Sequence, residues 1–92
     1  MERITVDGEK IEAQELSPRP DEWCRHLASL DGTREFLGYL VSVGPYKFDI
    51  EGFTELTIEQ IAASKSGVLD LAALARQMAE ADQNSGKYER RD

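Results

Sequence analysis

Cys24 and His26 are the chain's single cysteine and single histidine, and they stand two residues apart. A thiol beside an imidazole is the pairing that generates a thiolate nucleophile. The segment around them reads as a helix, and on a helix residues two apart point in different directions. The expectation is therefore a packed thiol and a surface imidazole. No HxxxH or CxxC spacing is present, and one cysteine excludes both an internal disulfide and a cysteine-based structural zinc site. Carboxylates are abundant, yet none falls at an expected strand end beside a second one in an apolar setting. Burial or close like charge of that kind is what shifts a carboxyl for general acid–base work. In Ser64-Lys65-Ser66-Gly67 the glycine follows the Lys-Ser pair instead of preceding it, and no strand feeds the segment, so it is not a phosphate loop. These residues point to a non-enzymatic protein with no catalytic, cofactor-binding or metal-ligating residues.

The chain has 92 residues, enough for one modest core. Eleven Lys and Arg stand against 18 Asp and Glu, a formal net charge of −7 that repels phosphate backbones and favours basic partners. The same charge also keeps a protein soluble. The N-terminal stretch MERITVDGEK has no apolar core of a signal peptide, and no apolar run approaches the ~20 residues that span a bilayer. With a lone cysteine, a reducing cytoplasm is the expected compartment.

The elements that would position any site read as two hairpins and three helices. Ile4-Thr5-Val6, Asp7-Gly8 and Lys10 to Ala13 predict a hairpin with a type I′ turn, Ile4 opposite Ile11 and Arg3 opposite Glu12. In Phe36 to Ile50, a two-residue loop at Gly44-Pro45 sets Val43 against Tyr46, Val41 against Phe48 and Tyr39 against Ile50, all on one face. Pro18 and Pro20 followed by Asp21 and Glu22 suit a helix start, and Trp23, Leu27 and Leu30 form a stripe that Asp31-Gly32 ends. This helix is expected over the Tyr39 face. Two further helices follow, one capped by Thr57 with Gln60 and one by Asp70, with Leu56/Ile61 and Leu69/Leu74 as hydrophobic staples. The expected fold is α+β: an antiparallel sheet of about four strands, one helix between the hairpins and two C-terminal helices. It occupies residues 1–86 as a single domain, with 87–92 as a flexible tail.

Two surfaces are candidates for partner binding. Phe36 and Leu40 point away from the Tyr39 face, among Lys47 and Asp49. Either a second layer covers them or they form a small apolar patch rimmed by charge. Lys87, Tyr88, Arg90 and Arg91 are a basic cluster in the tail, suited to a minor RNA contact. The stretch Leu56 to Met78, LTIEQIAASKSGVLDLAALARQM, resembles a helix-turn-helix, although Glu80 and Asp82 would meet phosphates.

Small size, acidity, a single domain and no catalytic motif together resemble the anti-CRISPR proteins of phages and mobile elements. That resemblance implies an inhibitor whose acidic side chains occupy a basic nucleic-acid-binding surface of a CRISPR effector, a protein or ribonucleoprotein partner, in the host cytoplasm. It carries no motif and assigns no residue. ITVDGEKIEAQEL, with the later LTIEQI and LAALARQM, looks instead like small phage tail-assembly chaperones, which would bind tail components through apolar helix faces.

Overall fold

The computed structural model describes residues 1–43 and 48–85. Five strands follow one another as an antiparallel meander: β1 (Glu2–Val6), β2 (Glu9–Asp21), β3 (Cys24–Ser29), β4 (Glu35–Val43) and β5 (Phe48–Glu55). Two helices follow among the described residues, α1 (Ile58–Lys65) and α2 (Leu71–Ser85). The sheet curls until β1 and β5 approach each other without joining their ladders, a nearly closed barrel. Among the described residues no helix is long and apolar enough to cross a membrane.

The first hairpin follows its sequence pattern. Ile4 pairs with Ile11 and Arg3 with Glu12, and Asp7 and Gly8 take φ of 49° and 83°, the positive values that a type I′ turn requires. Arg3 and Glu12 meet at 3.6 Å on the outer face. The second hairpin has a different register. Val43 pairs with Phe48, Val41 with Ile50 and Tyr39 with Gly52, two residues away from the expected pairing. A shift of two preserves the side-chain alternation, so Tyr39, Val41 and Ile50 still share a face. The expected partner Tyr46 lies outside the described residues.

The expected helix around Trp23 does not form; its residues make the end of β2 and all of β3, giving five strands and two helices instead of about four and three. β3 lies in the middle of the sheet and is buried on both sides, with Cys24 and Ala28 on one face and Leu27 and Ser29 on the other. A strand apolar on both faces loses its period of two and mimics a helical stripe over a short run. Pro18 and Pro20 fall where the β2–β3 register shifts between Leu16 and Asp21, a position in a sheet that tolerates a missing N–H. The peptide bond before Pro18 is cis. Asp31-Gly32 belongs to the β3–β4 connection. The Asp31 carboxylate accepts bonds from Ser29 Oγ at 2.7 Å, Thr33 N at 3.0 Å and Thr33 Oγ1 at 2.8 Å, which together hold its pKa down to about 2.

The curl creates two apolar clusters. Inside it lie Ile4, Val6, Ile11, Ala13, Leu27 and Phe36, with Phe53 against them. On the outer face Cys24, Leu37, Tyr39 and Val41 pack with Leu56 and with Leu71, Leu74 and Ala75 of α2. The layer over the Tyr39 face is therefore α2, not a helix around Trp23. Thr57 and Gln60 form the full capping box of α1. Asp70 caps α2 by accepting from Ala72 N at 3.0 Å, and Leu69 packs against the cluster that holds Leu74. α1 has no fully buried residue, and Ile58 at its start and Val68 in the connection to α2 are each 83% exposed.

Candidate functional site

Each end of the curled sheet is closed by one arginine. Arg25, on β3, points into the curl between Phe53 and the neighbouring strands, its guanidinium 6.0 Å from the Phe53 ring centre. Its Nε donates to Glu51 Oε2 at 2.7 Å; Nη1 donates to Glu2 Oε1 at 2.6 Å and Glu15 Oε1 at 3.0 Å; Nη2 donates to Glu2 Oε2 at 2.9 Å and Glu51 Oε1 at 2.7 Å. All five N–H groups of the guanidinium are thereby occupied. The three glutamates stand on β1, β2 and β5, so one side chain ties the two unpaired edges of the sheet to its centre. At the opposite end Arg34 donates to both carboxylate oxygens of Glu9 and of Glu55 at 2.7–3.2 Å and lies 5.3 Å over Phe36.

These forks set the charge states. Bonds from Arg25 hold Glu2 below its ordinary value of 4.5, and bonds first from Arg19 and then from Arg25 do the same for Glu15. Arg34 lowers Glu9 and Glu55 in the same way, and both arginines are raised well above their ordinary value by the carboxylates they bind. Gly38, on β4, makes the Arg25 end possible. A Cβ there would stand 2.8 Å from Glu51 Oε2 and 2.9 Å from the Phe53 ring, so glycine lets the ring lie across the strand.

Beside this end runs an open groove of about 280 Å³ lined by Arg19, Glu22, Trp23, Arg25, Leu40 and Glu51. Trp23 stands in the β2–β3 turn, packs against the outer cluster and has the Arg76 guanidinium of α2 5.9 Å over its ring. Leu40, 42% exposed, continues the apolar wall. Arg19 is forked onto Glu15, with Nε at 2.7 Å.

The helix side holds a second polar group. In a strand, residues two apart share a face, so Cys24 and His26 lie together on the α2 side, which a helical reading could not give. His26 Nε2 lies 2.7 Å from Glu35 Oε1, and Lys65 Nζ lies 3.9 Å from Glu35 Oε2. Cys24 is buried, and burial followed by the Asp21 charge pushes its thiol up, away from the thiolate that nucleophilic chemistry needs. Tyr39 Oη donates to Asp82 Oδ2 at 2.6 Å, fastening α2 to β4. Among the described residues no group of three or more His, Cys, Asp or Glu could hold a metal ion.

The partner-binding residues expected from sequence divide. Phe36 is fully buried inside the curl and belongs to the core, because the sheet itself wraps around that face. Leu40 is on the surface, in the groove. Asp49 is exposed and accepts from Ser42 Oγ at 2.8 Å. Lys47, Lys87, Arg90 and Arg91 lie outside the described residues. Sequence reasoning missed Trp23, Arg25 and Glu22 as groove residues, since the β2–β3 turn and the strand after it read as a helix. No protein-family model, curated protein or solved structure matches this chain.

Proposed function

We propose that this chain is a non-catalytic binding protein that engages a basic surface of a protein partner in the cytoplasm. In its narrower form it is an anti-CRISPR-type inhibitor that seats on the nucleic-acid-binding surface of a CRISPR effector and blocks target recognition. The observation that carries the reading is where the cations go. Arg3, Arg19, Arg25 and Arg34 are all ion-paired to the chain's own glutamates, and Arg76 lies over Trp23. These five guanidiniums are engaged internally by the chain's own side chains, and the sequence as a whole carries a formal net charge of −7. Such a surface imitates the charge of a nucleic acid and complements the channel that holds one.

The test uses purified effector complexes of several types, with target-DNA binding measured with and without the chain. Loss of DNA binding that recovers as salt rises is the expected result. Undiminished DNA binding by every effector, at low salt and excess chain, would sink the narrower form. A second reading, the tail-assembly chaperone, draws on the exposed Ile58 and Val68 around the lightly held α1. It predicts association with tail proteins that survives high salt.

A further inference from the structure

We infer that the groove beside Trp23 receives one basic side chain of the partner, an arginine or lysine carried on an exposed segment. The inference rests on the binding reading above and locates its contact. At about 280 Å³ the groove is open and has room for one long side chain. Its wall of Trp23 and Leu40 matches the methylene stem of Arg or Lys, and an indole face attracts the cationic head.

Charge selects the sign of the occupant. The guanidiniums of Arg19 and Arg25 are bonded to three carboxylates, those of Glu2, Glu15 and Glu51, Glu22 adds a fourth to the lining of the groove, and Arg25 has no N–H left to offer an anion. Glu22 sits exposed in the β2–β3 turn and forms no ion pair among the described residues, so its carboxylate is open to an incoming cation. Arg76 over Trp23 braces the ring from α2.

Trp23 is the only tryptophan, so its emission reports directly on the groove. The probes are hexa-arginine and hexa-lysine peptides, with hexa-glutamate and a short single-stranded DNA as opposites, each titrated at low salt with calorimetry alongside. A saturable change in Trp23 emission with the basic peptides is expected. Glu22→Gln and Leu40→Ser should each weaken it about fivefold. Glu59→Gln, exposed on α1 and outside the groove lining, should leave it unchanged, and thermal melts confirm that each variant is folded. Equal affinity in Glu22→Gln and wild type overturns the groove, as does heat of binding with a silent Trp23, while an acidic surface elsewhere survives. A response to hexa-glutamate or DNA overturns it as well. Absence of binding to either basic peptide by both methods removes the groove and the broader reading together.

Discussion

Replacing Arg25 with methionine keeps the aliphatic stem and removes the head that joins three strands. Five charge-assisted hydrogen bonds disappear, and Glu2, Glu15 and Glu51 are left facing one another at the mouth of the curl. Breaking a buried ion pair by deleting one partner costs about 3–5 kcal/mol. Here the Arg25 side chain is 16% exposed but the glutamates are 28–39% exposed, so water rehydrates them in part. The cost is therefore discounted to about 2–3 kcal/mol. For a domain of this size that lowers the melting temperature by roughly 10–20 °C. The assay is thermal unfolding followed by circular dichroism, with a double-mutant cycle against Glu51→Gln. Additive effects of the two changes, or an Arg25→Met melt within a few degrees of wild type, would refute the clasp as the closure of the sheet.

Acid titration tests both clasps. As pH falls, the unfolded chain takes up protons on Glu2, Glu9, Glu15 and Glu55 near 4.5, while the folded chain resists because each is held lower. The stability they confer is complete above that pH and is lost as pH drops through the folded values. Arg25→Met and Arg34→Ala should each flatten this acid limb in denaturant melts, Arg34→Ala with the smaller loss at pH 7 because its pairs are more exposed. Gly38→Ala should cost about 1–3 kcal/mol by driving a methyl into Phe53 and Glu51, read as a shifted urea midpoint. Tyr39→Phe removes the bond to Asp82 and should cost about 1–2 kcal/mol, with faster amide exchange along α2. Thr57→Ala should fray α1, seen as lost exchange protection at Ile61 with little change in global melting, since α1 has no fully buried residue.

What could be read in advance was whatever local chemistry dictates. Asp7-Gly8 fixes its own turn, and that turn fixes the register of the strands around it, so Ile4↔Ile11 and Arg3↔Glu12 were legible. Thr57 with Gln60 and Asp70 with Ala72 announce helix starts through side-chain bonds within three residues. In the second hairpin the register of β4 on β5 differs by two residues from the one expected around Gly44-Pro45, which leaves unchanged which side chains share a face. Residues 17–31 misled because burial on both sides of β3 erases the alternation by which a strand is recognised. The candidate site vanished with that misreading, since Trp23 and Arg25 took their positions from a helix that does not exist.

The sequence by itself determined the charge, the first hairpin, the helix caps and the face shared by Tyr39 and Val41, because each depends on contacts within a few residues or on a parity that register shifts of two preserve. The tertiary structure alone decided that the sheet curls, that Phe36 lies inside it, and that Arg25 gathers Glu2, Glu15 and Glu51 from strands up to 26 residues away. An arginine and a glutamate carry no mark of their partner in the chain. Their pairing follows from the twist and closure of the whole sheet, and so does the groove that opens beside Trp23.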